Sequence, residues 1–271
     1  VLYRFQQMRT VTNLYLFNLA VSDFLFLCGL PIAMTTFYYR KWVFDGVTCK
    51  LFYLLTSSNW FAEVFTITVL SADRLYLAVC KSSTSSRYRS NKITHTVCLV
   101  VWIVSVVVML PIIIYATTTI EDDYDDVTCS HYCLIDLPKI EPLSNQQAFV
   151  LYSFVLAFII PVPLISFFYF SVLKEMTKAG AKKTSSQVKR SKKKVTTMVL
   201  SVITLYVVCW LPYWIFQFVV VFVGVQMQLI AIILNILCYA NSSINPLLYA
   251  FLSESFRKNF LQLFACFRCR E

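Results

Sequence analysis

The sequence predicts an all-α integral membrane protein, a bundle of helices that cross the lipid, and three observations lead there. The 271 residues are 58% hydrophobic and only 14% charged, too apolar for an ordinary soluble domain. Six apolar stretches, at about 13–38, 50–79, 95–117, 147–173, 195–223 and 227–251, are long enough to span a hydrocarbon core as helices. Alternation of period two, the mark of a barrel, is absent, and backbone amides in lipid must be paired within their own segment.

The chain opens on Val1-Leu2-Tyr3 with Arg4 just behind, a run that reads as the tail of an earlier span. The first full stretch, 13–38, holds Asp23 within Leu19-Ala20-Val21-Ser22-Asp23. The second, 50–79, begins behind Cys49, carries Glu63, and closes on Ser71-Ala72-Asp73-Arg74. A basic loop leads to the third, 95–117. The next loop, about 118–146, carries the acid run Glu121-Asp122-Asp123-Tyr124-Asp125-Asp126 and reads as a solvated loop. The fourth stretch, 147–173, enters a segment from Lys174 to Lys194 with nine Lys or Arg, whose ends continue two helices past the membrane face. The fifth, 195–223, holds Cys209-Trp210-Leu211-Pro212, and the sixth, 227–251, holds Asn241 and Asn245-Pro246-Leu247-Leu248-Tyr249. Beyond it, Ser253 caps a short amphipathic helix over about 253–264, with Phe256, Phe260 and Leu263 on its apolar face. Cys266 and Cys269, beside basic residues, suit palmitoylation or remain free cytosolic thiols. The whole, 1–271, reads as one domain without repeats.

Charge sets the orientation. Arg4 and Arg9, then Lys81, Arg87, Arg89 and Lys92, then the 174–194 segment and the tail all fall on one side of the six stretches, the cytosolic side by the positive-inside rule. The opposite side is acidic, with Asp45, the 121–126 run, Asp136 and Glu141 against Arg40, Lys41, Lys50 and Lys139. The net charge of +10 is therefore a topological signal, and nucleic-acid binding is excluded because the cations sit between spans. The ten cysteines are too scattered for a disulfide scaffold or a metal cluster. His95 and His131 read as loop residues and give no metal or catalytic constellation, and no nucleophile–base pair points to an enzyme. Asn241-Ser242-Ser243 fits a glycosylation pattern but lies too deep in a span to be reached.

Taken in order, Asp23, Cys49, Asp73-Arg74 at a spacing of twenty-five residues from Cys49, Trp210-Leu211-Pro212 and Asn245-Pro246 resemble the rhodopsin-like family of G-protein-coupled receptors over essentially the whole chain. Trp42-Val43-Phe44 fits it too. The resemblance is closest to the somatostatin and allatostatin-C receptor branch, through Thr10-Val11-Thr12-Asn13-Leu14-Tyr15, Leu110-Pro111-Ile112-Ile113-Ile114-Tyr115-Ala116, Lys194-Val195-Thr196, Tyr239-Ala240-Asn241-Ser242 and Tyr249-Ala250-Phe251-Leu252-Ser253-Glu254. It implies a seven-helix bundle with most of the first helix missing from this chain. Its implied partners are an extracellular peptide, a heterotrimeric G protein of the inhibitory Gi/o class, arrestin, receptor kinases and membrane lipid. It also implies roles. Arg74 pairs with Asp73 at rest and reaches a G protein on activation. Trp210 floors the ligand pocket, Pro212 lets the helix pivot, and Tyr169 and Tyr249 swing inward, with Asn245 and Pro246 in the same switch. Asp23, Asn241 and Asn245 ring a hydrated sodium pocket. A disulfide joins Cys49 to Cys133, preferred over Cys129 because Pro138 follows at the spacing seen in relatives.

Three departures stand out. The family's Asp-Arg-Tyr run reads Asp73-Arg74-Leu75-Tyr76, and one extra residue turns a helix by about 100°. Ser82 replaces a proline common in the family. Glu63 stands where relatives carry a small hydroxyl residue. Facing Asp23, it allows three arrangements: bound sodium keeps both carboxylates ionised, the pair shares a proton, or Glu63 turns away to a helix backbone.

Somatostatin receptors place an aspartate seven residues after the third-helix cysteine, to receive a peptide lysine; here that position is Thr56. Without an acid there, a buried ligand ammonium lacks its counter-ion, which disfavours monoamines as well. Allatostatin-C receptors resemble this chain in having threonine at that point, so the expected ligand is a disulfide-closed allatostatin-C-like or somatostatin-like peptide. The expected pocket residues are Thr56, Asn59, Trp60, Tyr213, Gln217, Asn235 and Tyr239. Opioid- or galanin-like peptides are an alternative. A further alternative is an ion or small-solute transporter using Asp23 and Glu63, against which no inverted repeat is evident.

Overall fold

The computed structural model describes residues 10–79, 90–121, 130–138, 142–180, 186–225 and 227–252. Helices α1 (Val11–Cys28) and α2 (Leu30–Tyr39) join end to end across Gly29. Helix α3 (Gly46–Ser58), a π-helical turn (Asn59–Glu63) and α4 (Val64–Val79) make a second rod. Helix α5 (Asn91–Tyr115) is the third. Helix α6 (Asn145–Phe154), a π turn (Val155–Ile159) and α7 (Pro161–Gly180) form the fourth. Helix α8 (Ser186–Phe218) runs through a π turn (Val219–Val223), and α9 (Gln228–Leu252) follows. Among the described residues, five segments are long and apolar enough to cross a membrane: Val11–Tyr39, Asn91–Tyr115, Asn145–Thr177, Leu200–Val223 and Gln228–Leu248. The rod over Gly46–Val79 carries Lys50, Glu63, Asp73 and Arg74 along its length.

Side-chain caps explain the starts. Thr10 accepts from the Asn13 amide at 3.3 Å, Asp45 from Thr48 at 2.8 Å, and Ser90 from Ile93 at 3.3 Å. Ser144 and Gln147 form a reciprocal capping box, at 3.2 and 2.9 Å. The Thr48 side chain and then its backbone amide hold the Asp45 carboxyl below the usual aspartate range. The cap at Ser90 also corrects a reading of the sequence: His95 lies inside α5 and not in a loop. Gly224, at φ 78°, ends the fifth rod in the left-handed conformation that glycine adopts at no steric cost.

The membrane-spanning part is all helical, as expected, and only the reading of one connecting loop is corrected. Part of the loop expected over 118–146 is an antiparallel pair, β1 (Ala116–Glu121) and β2 (Ser130–Ile135), with Thr118 opposite Cys133. His131, expected in a loop, lies on β2. The hairpin is fastened to α3 and to the chain just before it. A disulfide joins Cys49 to Cys133 with the Cα atoms 5.7 Å apart, and the Trp42 amide donates to the His131 carbonyl at 2.7 Å. The preference for Cys133 is borne out; Cys129 lies outside the described residues. So do the expected amphipathic helix over 253–264, Cys266, Cys269 and Ser82.

Polarity is inverted relative to a soluble protein. Phe24, Val107, Phe170 and Ile236 are exposed on the outer faces of the helices, while Asp23, Glu63, Asn241 and Asn245 are fully or nearly fully buried. A lipid-facing apolar surface around a polar interior has this distribution. Between the two lies the packed core, which includes Leu19, Phe61, Ile67, Tyr206 and Trp210.

Candidate functional site

Beneath the hairpin, the rods enclose a cavity of about 540 Å³, within the range of small-ligand sites. Its lining brings together Thr56, Trp60, Tyr213, Gln217, Asn235 and Tyr239, with Trp210 among them. Asn59 is the exception and corrects the expected set. It is fully buried outside this lining and hydrogen-bonds Asp23 instead. The cavity wall is largely aromatic. Trp60 meets Trp214 edge-on at 5.6 Å, Trp210 meets Tyr213 at 5.7 Å, and Phe26 stacks on Tyr239 at 4.3 Å. Such contacts fix ring positions beyond what area burial alone does. Among the described residues, the buried indole N–H groups of Trp210 and Trp214 have no acceptor, which leaves two donors in this wall.

The sequence reading missed an acid here. Asp136, at the end of β2, lines the same cavity. Its backbone N–H donates to the Tyr115 carbonyl at 2.9 Å, and one carboxylate oxygen accepts from the Asn145 amide at 2.8 Å. Once Cys133 is tethered to the head of α3, residues three positions further on hang over the cavity mouth; that tether is the signal that could have found Asp136.

Further toward the middle of the bundle lies a second polar cluster. The Asn245 amide donates to Asp23 Oδ2 at 3.1 Å and to Glu63 Oε1 at 3.2 Å. Asn241 donates to Glu63 Oε1 at 2.8 Å, and Asn59 to Asp23 Oδ1 at 3.3 Å and to Ser242 Oγ at 3.2 Å. Glu63 therefore points into the cluster, and of the three arrangements the one in which it turns away is not found. Asn59 and Ser242 join the residues expected. Every amide nitrogen faces a carboxylate or hydroxyl. Among the described residues, Glu63 Oε2 and the side-chain oxygens of Asn59, Asn241 and Asn245 have no donor. The cluster is thus rich in oxygen acceptors.

At the other end of the Gly46–Val79 rod, Arg74 pairs with Asp73 at 2.8 Å and also hydrogen-bonds Thr12, at the start of α1. The sequence reading supplied the first contact and missed the second. Pro212 sits inside α8 and Pro246 inside α9. Tyr169 is partly buried on α7; Tyr249 lies in α9, with its side chain outside the described residues. A link absent from the sequence reading joins α8 to the fourth rod. Pro161 has no N–H and so frees the carbonyl of Ala157, four residues back. The Tyr206 hydroxyl donates to that carbonyl at 2.8 Å.

Comparison with known proteins bears on this arrangement. Somatostatin receptor type 1 of Rattus norvegicus is 35% identical over 97% of this chain and 66% of its own length. Somatostatin receptor type 4 of the same species is 36% identical over 99% and 68%. Neuropeptides B/W receptor type 1 of Homo sapiens is 35% identical over 98% and 80%. The chain thus spans about two thirds of the length of these somatostatin receptors. The model of the 7 transmembrane receptor (rhodopsin family) matches residues 1–249. The chain belongs to the rhodopsin family of seven-transmembrane receptors.

Proposed function

We propose that the chain is the membrane core of a receptor for a disulfide-closed peptide of the allatostatin-C or somatostatin kind, and that it activates a heterotrimeric G protein of the Gi/o class. The carrying observation is the aromatic cavity of about 540 Å³ beneath a disulfide-anchored hairpin. A peptide ring fits such a site because it loses less conformational entropy on binding than a linear chain. The free indole donors of Trp210 and Trp214 suit peptide carbonyls. Thr56, whose hydroxyl donates to its own helix at Phe52 O (2.8 Å), supplies no charge at depth and favours the allatostatin-C side of the branch. The resemblance to somatostatin receptors and to a neuropeptide receptor supports a peptide over an amine. The receptor sits in the plasma membrane, with the hairpin outside and the basic loops and C-terminus in the cytosol, where arrestin and receptor kinases also act.

Asp23, Glu63, Asn59, Asn241 and Asn245 belong to the same proposal as an ion pocket. Their oxygens fit a sodium ion, a hard cation that prefers oxygen ligands, or a proton held between the two carboxyl groups. When bound, either species supplies the positive charge that lets two acids share one buried site.

The test is a panel of disulfide-closed peptides applied to cells expressing the full-length receptor, read as forskolin-stimulated cyclic AMP. A saturable fall in cyclic AMP, blocked by pertussis toxin, is expected. Voltage-driven current without any peptide, in cells whose cyclic AMP no peptide changes, would point to a transporter instead.

A further inference from the structure

Among the described residues, the cavity proposed for the peptide is lined by a single charged side chain. Its other polar groups, among them Thr56, Asn145, Gln146, Gln217 and Asn235, are neutral, and among the described residues no Lys, Arg or His lines it. Asp136 is that charge, and the fold fixes its position. It follows β2 directly, β2 is bound to α3 through Cys49–Cys133, and the Asp136 amide is bonded to the end of α5 at Tyr115. The side chain is exposed, and among the described residues its one hydrogen bond, from Asn145 at 2.8 Å, comes from a neutral amide. That bond orients the carboxylate without cancelling its charge. A carboxylate held in place beside an aromatic wall attracts a cation more strongly than one in open water, because the wall excludes solvent from one side.

We propose that Asp136 is the counter-ion of the ligand. The receptor then selects, among cyclic peptides, those with a Lys or Arg side chain or an N-terminal ammonium on the part that meets the extracellular hairpin. This deepens the peptide-receptor reading and rests on it. It also moves the ligand's charge. A cation directed to the depth of α3 meets Thr56 and finds no partner, whereas one placed at the cavity mouth meets Asp136. The specificity is therefore for where the cation sits on the ring, not only for its presence.

The test starts from a displayed library of disulfide-closed peptides with randomised ring residues. It is selected on the purified full-length receptor and on its Asp136→Asn, Asp136→Glu and Asp136→Lys variants. Peptides from the parent and from Asp136→Glu should be enriched in Lys or Arg at one ring position. Those from Asp136→Asn should lose the preference, and those from Asp136→Lys should favour Asp or Glu there. Resynthesis of a parent-selected peptide with that residue changed to Gln should weaken binding to the parent by about tenfold, the scale of one charge-assisted hydrogen bond, and leave binding to Asp136→Asn unchanged. Binding of the basic peptide to the parent and to Asp136→Glu should also fall as salt rises, which tests the charge even if Asp136→Asn fails to fold. Cyclic peptides captured without basic enrichment, or with equal enrichment on Asp136→Asn, overturn the role of Asp136 and leave the peptide reading standing. Capture of no cyclic peptide by any of the four receptors overturns the peptide reading and this proposal with it.

Discussion

At the residue scale, the pair Asp23 and Glu63 sets a sharp electrostatic condition. Both carboxylates accept from the one Asn245 nitrogen, at 3.1 and 3.2 Å, so their nearest oxygens are at most about 6 Å apart. Two full charges at that distance repel by about 3 kcal/mol even at an effective dielectric constant of ~20. A proton or a cation removes the repulsion, and placing a proton requires no ordered ligand shell. We therefore expect the parent receptor to bind its agonist with little dependence on sodium at neutral pH. Raising the pH should make it sodium-sensitive as the proton leaves and the cation takes its place. Glu63→Ser should be sodium-sensitive throughout, with a flatter response to pH. Stronger sodium sensitivity in the parent than in Glu63→Ser at neutral pH would put the cation, not the proton, between the acids, and identical curves would remove Glu63 from ion control. These acids were legible in the sequence because charge inside an apolar stretch is costly and rare. Asp136 was not: in the sequence it is one more acid in an acidic loop, and its place over the cavity depends on a disulfide partner 84 residues away from Cys49.

At the element scale, the fourth rod and α8 are joined through a defect. The π turn Val155–Ile159 and Pro161 interrupt the regular hydrogen-bond ladder, and Tyr206 supplies the donor that the Ala157 carbonyl loses. Tyr206 is only 2% exposed, so water is a poor substitute. Tyr206→Phe keeps the ring and removes the hydroxyl. It should cost about 1–3 kcal/mol, the penalty for a buried carbonyl left without a donor, and lower the melting temperature of the detergent-solubilised receptor. An unchanged melting temperature would mean that the carbonyl finds another donor. The membrane-helix bundle itself was readable, because apolar length and internal backbone pairing leave few alternatives. The π turns were not, since Asn59–Glu63 and Val155–Ile159 share no residue signature and an inserted residue only changes the phase of the helix. The hairpin had a signal that the acid run beside it obscured: Thr117-Thr118-Thr119-Ile120 is a β-branched run of the kind strands favour.

At the scale of the whole molecule, the Gly46–Val79 rod carries the cavity at one end and Arg74 toward the other. Thr56 and Arg74 are eighteen residues apart along it, about 27 Å at 1.5 Å per residue. A ligand at the first cannot touch the second. In the function proposed, it acts by favouring one packing of the bundle over another, and only to the extent that it binds the two packings unequally. The central carboxyl cluster lies between the ends on the same rod, at Asn59 and Glu63, and ties it to α1 and α9 through Asp23, Asn241, Ser242 and Asn245. Arg74 in turn ties the far end of the rod to α1 through Thr12. Separating binding from signalling tests this division. In Arg74→Ala the cavity residues are untouched, so peptide affinity measured without G protein should stay within about threefold of the parent, a difference under 1 kcal/mol. Nucleotide exchange on the G protein should fall to the basal level, because the cationic side chain proposed to reach it is gone. An equal loss of peptide affinity in correctly inserted receptor would mean that the Asp73–Arg74–Thr12 contacts hold the outer cavity in shape, and that the two ends of the bundle do not have separate tasks.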